Sequence, residues 1–202
     1  MSISYDLSAQ SLPLILASTS PYRKDVLDRL YLPFETYAPE IDESPLPDEQ
    51  PVDLVIRLAE LKARSAQLTY PKALIIGSDQ VAVIGTKILG KPRTHEEAVK
   101  QLTDASGQQV DFLTGLCLFN TSIHKIHIDM VRFSVKFRTL NLSQIENYLS
   151  LDKPYNCSGS FKSEGLGIAL LDKMEGNDPT AIIGLPLIRL VRMLEAEGVS
   201  II

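Results

Sequence analysis

Asp79 and Glu43 are the carboxylates whose sequence settings could support chemistry. Asp79 stands between two apolar segments, residues 73–76 and 81–84. Burying an ionised carboxylate without a partner is unfavourable, so we expect Asp79 to face a cleft that holds a cation or a network of donors. The alternative is a structural side chain that accepts from backbone N–H groups in a bulge. Glu43 lies in a proline-bounded acidic loop, which is either a solvated connector or a rigid source of metal ligands.

A corner near the N-terminus combines hydroxyl groups with cations. Residues 14–24 pass from a short apolar run through Ser18 and Ser20 to a proline, and then to Arg23 and Lys24. Ser20 can cap the helix that follows, and the free N–H groups of the first turn, next to Arg23 and Lys24, suit a phosphate. The same residues also fit an ordinary cap with a solvated first turn.

The order of apolar and polar stretches predicts the elements that position these groups. Lys62 falls on a helix, and Lys91 precedes a proline that fixes the local backbone. Strands that alternate with helices and then give way to hairpins predict an α/β fold with a mixed sheet. The strands predicted after this corner are residues 34–38, 73–76, 81–84, 110–120, 126–131, 134–138 and 168–171. Four helices are predicted as well: residues 52–68, a helix capped by Thr94, a helix capped by Ser143 with Glu146 at the capping-box position, and residues 187–197.

Composition argues against several classes of function. The chain has 202 residues and a formal net charge of −5, whereas a general nucleic acid binder needs a basic excess for its phosphate contacts. Cys117 and Cys157 form neither a disulfide framework nor a metal-ligand spacing, and no leader or bilayer-length apolar run is visible. We therefore expect a cytoplasmic protein with free thiols and no nucleic acid polymer or membrane partner.

A glycine-punctuated segment, residues 159–167, carries an aromatic residue, a cation and a carboxylate. Phe161 could stack on a base, and Glu164 could accept hydrogen bonds from the N–H groups of a base. The alternative is a tight turn, which is the more common use of paired glycines.

Cations and carboxylates at the ends of predicted elements indicate hydrolysis of a polyphosphate. In that reaction a metal ion and cations neutralise the phosphate oxygens while a carboxylate activates water. P-loop chemistry is not indicated, because the segment Gly77-Ser78-Asp79 lacks the Gly-Lys-Ser/Thr ending of a Walker A loop. The residues concerned are Arg23, Lys24, Lys62, Lys91, Glu43 and Asp79.

From residue 14 to residue 198 the sequence resembles the Maf family of nucleotide pyrophosphatases. The resemblance implies one Maf-like domain over residues 1–202, with residues 1–11 as a flexible extension. It also implies a two-lobed fold similar to inosine-triphosphate pyrophosphatases, with a mixed, twisted central sheet, a cleft between lobes and often a homodimer. The motifs that carry it are Leu16-Ala17-Ser18-Thr19-Ser20-Pro21-Tyr22-Arg23, Asp42-Glu43, Arg57-Leu58-Ala59 with Lys62-Ala63, Gly77-Ser78-Asp79-Gln80, Gly90-Lys91-Pro92, Gly159-Ser160-Phe161-Lys162-Ser163-Glu164-Gly165 and Ile183-Gly184-Leu185-Pro186.

The same resemblance implies roles for single residues. Asp79 would accept a proton from the attacking water, and Glu43 and Asp79 would bind a divalent cation, Mg²⁺ or Mn²⁺. The substrate would be a nucleoside triphosphate, cleaved to the monophosphate and pyrophosphate. The groups that would hold its phosphates are Ser18, Arg23, Lys62 and Lys91, to which the residue pattern adds Lys24.

Three positions resemble the branch of the family that hydrolyses 7-methyl-GTP. Members that cleave dTTP and UTP typically carry Arg, Thr and Gln where this chain has Tyr22, Gln80 and Glu164. A methylated N7 makes the purine cationic, which an aromatic face and a carboxylate both favour. Tyr22 departs from the Trp typical of the branch. The alternatives are a dTTP/UTP pyrophosphatase and a nucleotide-binding regulator of cell division, since the family name is tied to septum inhibition.

Overall fold

A mixed sheet of seven strands forms the centre of the protein. The structure, a computed structural model, describes residues 12–202, so the predicted extension at residues 1–11 lies outside the described residues. The strands are β1 (Leu14–Ala17), β2 (Phe34–Tyr37), β3 (Leu74–Ile84), β4 (Lys87–Leu89), β5 (Gln109–Asn120), β6 (Lys125–Phe137) and β7 (Leu171–Gly176). The α-helices are α1 (Pro21–Leu27), α2 (Pro51–Ser65), α3 (His95–Ala105), α4 (Leu142–Asp152) and α5 (Leu187–Ala196).

The strand order is β2-β1-β3-β5-β6-β7, with β4 paired to β3 beside this path. Strand β1 runs parallel to β2 and β3, and the remaining pairs are antiparallel. Parallel neighbours need crossover connections, which α1 and α2 supply, whereas a tight turn suffices between β5 and β6. The α/β fold with a mixed sheet is therefore confirmed.

The core is divided along the long strands. Toward one end, Phe112, Phe133 and Phe137 pack with residues of α3 and α4. Toward the other end, Ile76 and Leu118 pack with α1 and α5, while the opposite face of the sheet packs against α2. These two packing regions correspond to the two lobes that the family resemblance implies.

Strand β3 is longer than the sequence pattern predicted. Residues 74–76 and 81–84 belong to one strand, and its pairing with β5 continues without a break through Asp79 and Gly115. The bulge considered as the alternative setting for Asp79 is thus wrong. Strand β6 likewise joins most of the two predicted strands at 126–131 and 134–138. Between them Arg132 is exposed and Phe133 is buried, which is the alternation of a continuous strand.

Three other predicted boundaries are wrong. Helix α2 ends at Ser65 rather than at residue 68. Helix α4 is capped by Asn141 rather than Ser143: the Asn141 side chain accepts from the Gln144 N–H at 3.0 Å, and the Gln144 side chain accepts from the Asn141 N–H at 3.0 Å. The predicted strand at 168–171 is mostly a 3-10 helix, Leu166–Leu170. An isolated apolar run does not distinguish a short strand from such a helix.

Helix α2 lies unusually close to the sheet because glycines face it. A Cβ atom at Gly77 would lie 2.1 Å from the backbone oxygen of Ala59, and one at Gly115 would lie 2.1 Å from that of Val55. Only residues without a side chain permit this approach. None of the helices between residues 12 and 202 has the length and hydropathy that a membrane crossing requires.

We predict that Gly115→Ala destabilises the protein, because the added methyl group must displace the α2 backbone. Overpacking of this kind costs about 1–3 kcal/mol, which lowers the Tm of a domain of this size by about 2–12 °C. Thermal unfolding followed by circular dichroism measures the shift. Gly90→Ala is the control, since a Cβ at Gly90 meets nothing within 4 Å. Equal melting temperatures for the two variants would contradict this packing.

Candidate active site

A cavity of about 620 Å³ opens beside the middle of β3. Strand β1 pairs with one edge of β3 as far as Gly77, and β4 pairs with the same edge only from Ala82 onward. Asp79 and Gln80 therefore lie where this edge has no neighbouring strand, and both line the cavity. The volume falls within the range of about 300–1,000 Å³ that is typical of small-molecule sites.

The cavity brings together the predicted site residues, with one exception. Those that line it are Ser18, Tyr22, Arg23, Glu43, Lys62, Asp79, Gln80, Lys91 and Glu164. Lys24 is the exception, and its Nζ instead lies 3.4 Å from Asp28 on the exposed face of α1. Tyr22 and Arg23 of α1 line the cavity, and the turn of the helix carries the next side chain, that of Lys24, away from it. The position of Lys24 gives no support to its predicted role in phosphate binding.

A buried ammonium group joins the two predicted carboxylates. Lys62 Nζ lies 2.6 Å from Asp79 Oδ1 and 2.7 Å from Glu43 Oε1. Lys62 is 5% exposed and Asp79 is 8% exposed. A buried charge is tolerated when it is paired and hydrogen-bonded, so Lys62 and Asp79 make each other's burial possible, and Glu43, whose side chain is 53% exposed, adds a second partner for Lys62. Lys62 binds only Oδ1 of Asp79, and Oδ2 has no hydrogen-bond partner among residues 12–202.

The acidic loop that carries Glu43 is held in place by an arginine. Arg57 of α2 binds Glu49 through two hydrogen bonds of 2.6 and 2.7 Å, and also donates to the Ser44 carbonyl oxygen at 3.0 Å. The loop is therefore anchored to α2, although its residues 42–48 are exposed to solvent. Burial alone would raise the pKa of Glu43, but the hydrogen bond from Lys62 and the charges of nearby cations outweigh it and hold that pKa below its usual value.

The N-terminal corner has the predicted cap. The Ser20 hydroxyl accepts from the Arg23 backbone N–H at 3.4 Å, and Ser18 Oγ accepts from the Ser20 N–H at 3.1 Å. The Arg23 guanidinium donates to the Gly184 carbonyl oxygen at 2.8 Å and to Ser18 Oγ at 3.4 Å. Burial lowers the pKa of Arg23, against the opposing effect of Asp79 and Glu43. The hydrogen bonds to Gly184 and Ser18 therefore fix the Arg23 guanidinium at the cavity wall.

Lys91 contributes a further positive charge to the cavity. Burial lowers its pKa, and the charges of Arg23, Arg93 and Lys62 lower it further, while Glu43 has the opposite effect. Several cations therefore meet at one side of the cavity. Bringing an anion to this side would relieve their mutual repulsion.

The three residues that were predicted to select the base, Tyr22, Gln80 and Glu164, lie in the same cavity. The Gln80 amide nitrogen donates to Thr114 Oγ1 at 3.0 Å and to the Ala181 carbonyl oxygen at 2.7 Å, which leaves its oxygen as an acceptor. Burial and the neighbouring Cys157 raise the pKa of Tyr22. Glu164 is exposed, as an acceptor for a polar ligand edge would be.

Phe161 does not take the predicted stacking role. It is 4% exposed, and its ring centroid lies 5.7 Å from that of Phe112 and 5.6 Å from that of Phe137. Its faces are therefore occupied by the core. The glycine-punctuated segment supplies Glu164 but no free aromatic ring.

The lining residues that the sequence prediction did not include are, among others, Arg93 and Cys157. Arg93 follows the Gly90-Lys91-Pro92 motif directly, so the proximity of a second cation to Lys91 was a signal that could have found it. Cys157 is a free thiol whose pKa is raised by burial, and nothing in its local sequence distinguishes it.

The described residues do not by themselves provide a complete metal site. Among residues 12–202 no group of three or more His, Cys, Asp or Glu side chains could hold one. The cavity offers two carboxylates, Glu43 and Asp79, each with one oxygen engaged by Lys62. Mg²⁺ is commonly bound by one or two carboxylates together with waters and substrate phosphates, so this donor set fits a metal that binds with its substrate.

Comparisons with known proteins identify the family and the relatives of this chain. A protein-family model described as Maf-like protein matches residues 13–197. A relative from Nitrosococcus oceani, named 7-methyl-GTP pyrophosphatase, is 58% identical over 189 residues, which cover 94% of this chain and 95% of the relative. Relatives of the same name from Aliivibrio fischeri and Methylobacillus flagellatus are each 53% identical, over 94% of this chain and 98% and 99% of their own lengths.

We predict that Lys62→Met raises the pKa of Glu43, because the hydrogen bond that lowers it is lost while burial still raises it. Carboxyl titration by NMR measures the change. Lys100→Met, which removes a lysine paired with Glu97 on the surface, is the control and leaves the pKa of Glu43 unchanged. In the native protein the depressed pKa stabilises the fold above the unfolded-state pKa, and this contribution disappears as the pH falls through the folded-state pKa.

The same variant also loses stability at neutral pH. Removing one partner of a buried ion pair costs about 3–5 kcal/mol, which denaturant unfolding at pH 7 would detect. A Lys62→Met protein as stable as the native one, with an unchanged pKa for Glu43, would contradict the arrangement described here.

Proposed function

This chain belongs to the Maf family, and we propose that it hydrolyses 7-methyl-GTP to 7-methyl-GMP and pyrophosphate. The observation that carries the proposal is the Lys62 ammonium bound between Asp79 and Glu43, in the cavity that also contains Tyr22 and Glu164. The shared name of the curated relatives supports the choice of substrate. Removing a methylated nucleotide would keep it out of the pool that polymerases use.

The catalytic step is attack of water on the α-phosphorus, with pyrophosphate as the leaving group. Lys62 holds Asp79 through Oδ1, which leaves Oδ2 to accept the proton that the water loses. Arg23 and Lys91 face the phosphate oxygens and offset the negative charge that develops on them. Glu43 keeps the Lys62 ammonium in place, so that Asp79 is oriented before the substrate arrives.

A divalent cation, Mg²⁺ or Mn²⁺, is part of the proposal. Glu43 and Asp79 would hold it. When bound, it supplies positive charge against the phosphate oxygens.

Tyr22 supports a cationic base. In the free chain Lys162 Nζ lies 5.7 Å from the centroid of the Tyr22 ring, so this ring already accepts a positive charge on a face. Methylated guanine carries a positive charge that the same kind of contact would stabilise. Glu164 adds a negative charge and can accept hydrogen bonds from guanine N–H groups.

We also propose a cytoplasmic location, which the free thiols of Cys117 and Cys157 support. A homodimer and the lack of a nucleic acid polymer as partner remain predictions.

The function is tested by pyrophosphate release from 7-methyl-GTP, GTP, dTTP, UTP and CTP with Mg²⁺ or Mn²⁺. We expect a strong preference for 7-methyl-GTP. Asp79→Asn should lower kcat about 10²–10⁴-fold, as expected for loss of a general base, while nucleotide binding changes only a few-fold. Preference for dTTP or UTP would overturn the substrate but keep the mechanism. Binding without turnover by the native chain would favour the nucleotide-binding regulator instead.

We predict that Glu164→Gln reduces the preference for 7-methyl-GTP over GTP, because the cationic base loses a negative charge. A loss of about 1.4 kcal/mol corresponds to a tenfold drop in the ratio of kcat/KM values, seen mainly in KM. Glu175→Gln is the matched control, because Glu175 pairs with Lys173 on β7 outside the cavity. An unchanged ratio in Glu164→Gln would rule out this role for Glu164.

A further inference from the structure

Arg93 is a cation of the cavity wall that none of the family motifs includes. Its Nη1 donates to Asn156 Oδ1 at 3.2 Å, a neutral acceptor. Among residues 12–202 no carboxylate lies within salt-bridge distance of its guanidinium, whereas Lys62 is bound by two. Most of its donors are thus free to bind an anion.

The backbone presents Arg93 to the cavity in a fixed way. Its φ is +66°, in the left-handed region that non-glycine residues rarely adopt. The Arg93 N–H donates to the Tyr155 carbonyl oxygen at 3.0 Å, and the residue before it is the buried Pro92. Such a conformation persists only where its surroundings determine it, so the loop is fixed on both sides of Arg93.

Arg93 and Lys91 belong to the same part of the cavity wall. Only Pro92 separates them in the sequence, and both line the cavity. Burial lowers the pKa of Lys91, and the charge of Arg93 is among the cations that lower it further. The two cations can therefore bind neighbouring groups of one anion.

The balance of charge in the cavity favours a polyanion. The cations Arg23, Lys62, Lys91 and Arg93 exceed the carboxylates Glu43, Asp79 and Glu164 by one, in a chain whose net charge is −5. Glu43 and Asp79 already pair with Lys62. Lys91 and Arg93 consequently retain positive charge that no protein group in the described part of the chain neutralises by direct pairing.

We propose that Arg93 is a substrate-binding residue that, together with Lys91, binds the phosphate tail of the nucleotide and the released pyrophosphate. A guanidinium suits this task, because its planar donors can bind two phosphate oxygens at once. The proposal rests on the proposed function in that it takes a nucleoside triphosphate as the ligand of this cavity. Arg93 acts on binding of the phosphates and not on recognition of the base.

The test is calorimetric titration of the native protein, Arg93→Gln and Arg93→Lys with inorganic pyrophosphate and, separately, with 7-methylguanosine, both in EDTA. We expect Arg93→Gln to weaken pyrophosphate binding about tenfold, the effect of losing one charge-assisted hydrogen-bonding group. Arg93→Lys should retain part of the affinity, and 7-methylguanosine binding should stay unchanged. Arg132→Gln is the matched control, because Arg132 is an exposed arginine of β6 outside the cavity.

Three results would overturn the proposal: equal pyrophosphate affinity in Arg93→Gln and native protein, equal loss of affinity for pyrophosphate and 7-methylguanosine, or no pyrophosphate binding by the native chain. In turnover assays with Mg²⁺, the proposal requires a higher KM with kcat changed at most a few-fold. Failure of the proposed function gives a different result. A native chain that binds pyrophosphate through Arg93 but does not cleave 7-methyl-GTP refutes the function and leaves the phosphate role of Arg93 intact.

Discussion

The burial of the Lys62 ammonium is the constraint on which the site depends. An ammonium that is 5% exposed requires both Asp79 and Glu43, because an unpaired buried charge is strongly unfavourable. Lys62 reaches Asp79 because α2 lies directly on the sheet, where Gly77 has no side chain to hold it away. The packing of helix on sheet and the chemistry of the cleft therefore have the same structural cause.

Much of the site could be predicted from the sequence because its charged residues interrupt apolar patterns. Asp79 in the middle of an apolar strand had to have a partner, and the structure supplies Lys62. Side-chain direction was harder to predict, since it depends on the helix phase that separates Arg23 from Lys24. The burial of Phe161 depends on contacts with Phe112 and Phe137, which are distant in sequence and therefore leave no local signal.

The elements were predicted better than their ends. Long apolar runs identified the strands, but β3 and β6 each continue through residues that the pattern left between two separate strands. The sequence offers two capping boxes for α4, Asn141 with Gln144 and Ser143 with Glu146, and both have the same spacing. Sequence alone therefore does not determine at which of the two residues the helix begins. Tertiary packing decides such cases.

The site has a rigid part on β3, and a part at the start of α1 and in the loop of Glu164 that tolerates substitution more easily. Asp79 belongs to a strand paired with β5 along nearly its whole length, and such central strands exchange their amide hydrogens only on global opening. Tyr22 and Glu164 lie at the start of a short helix and in a loop, where substitutions disturb few buried contacts. Base preference can therefore diverge during evolution while the hydrolytic machinery stays unchanged, so one scaffold can serve several nucleotides.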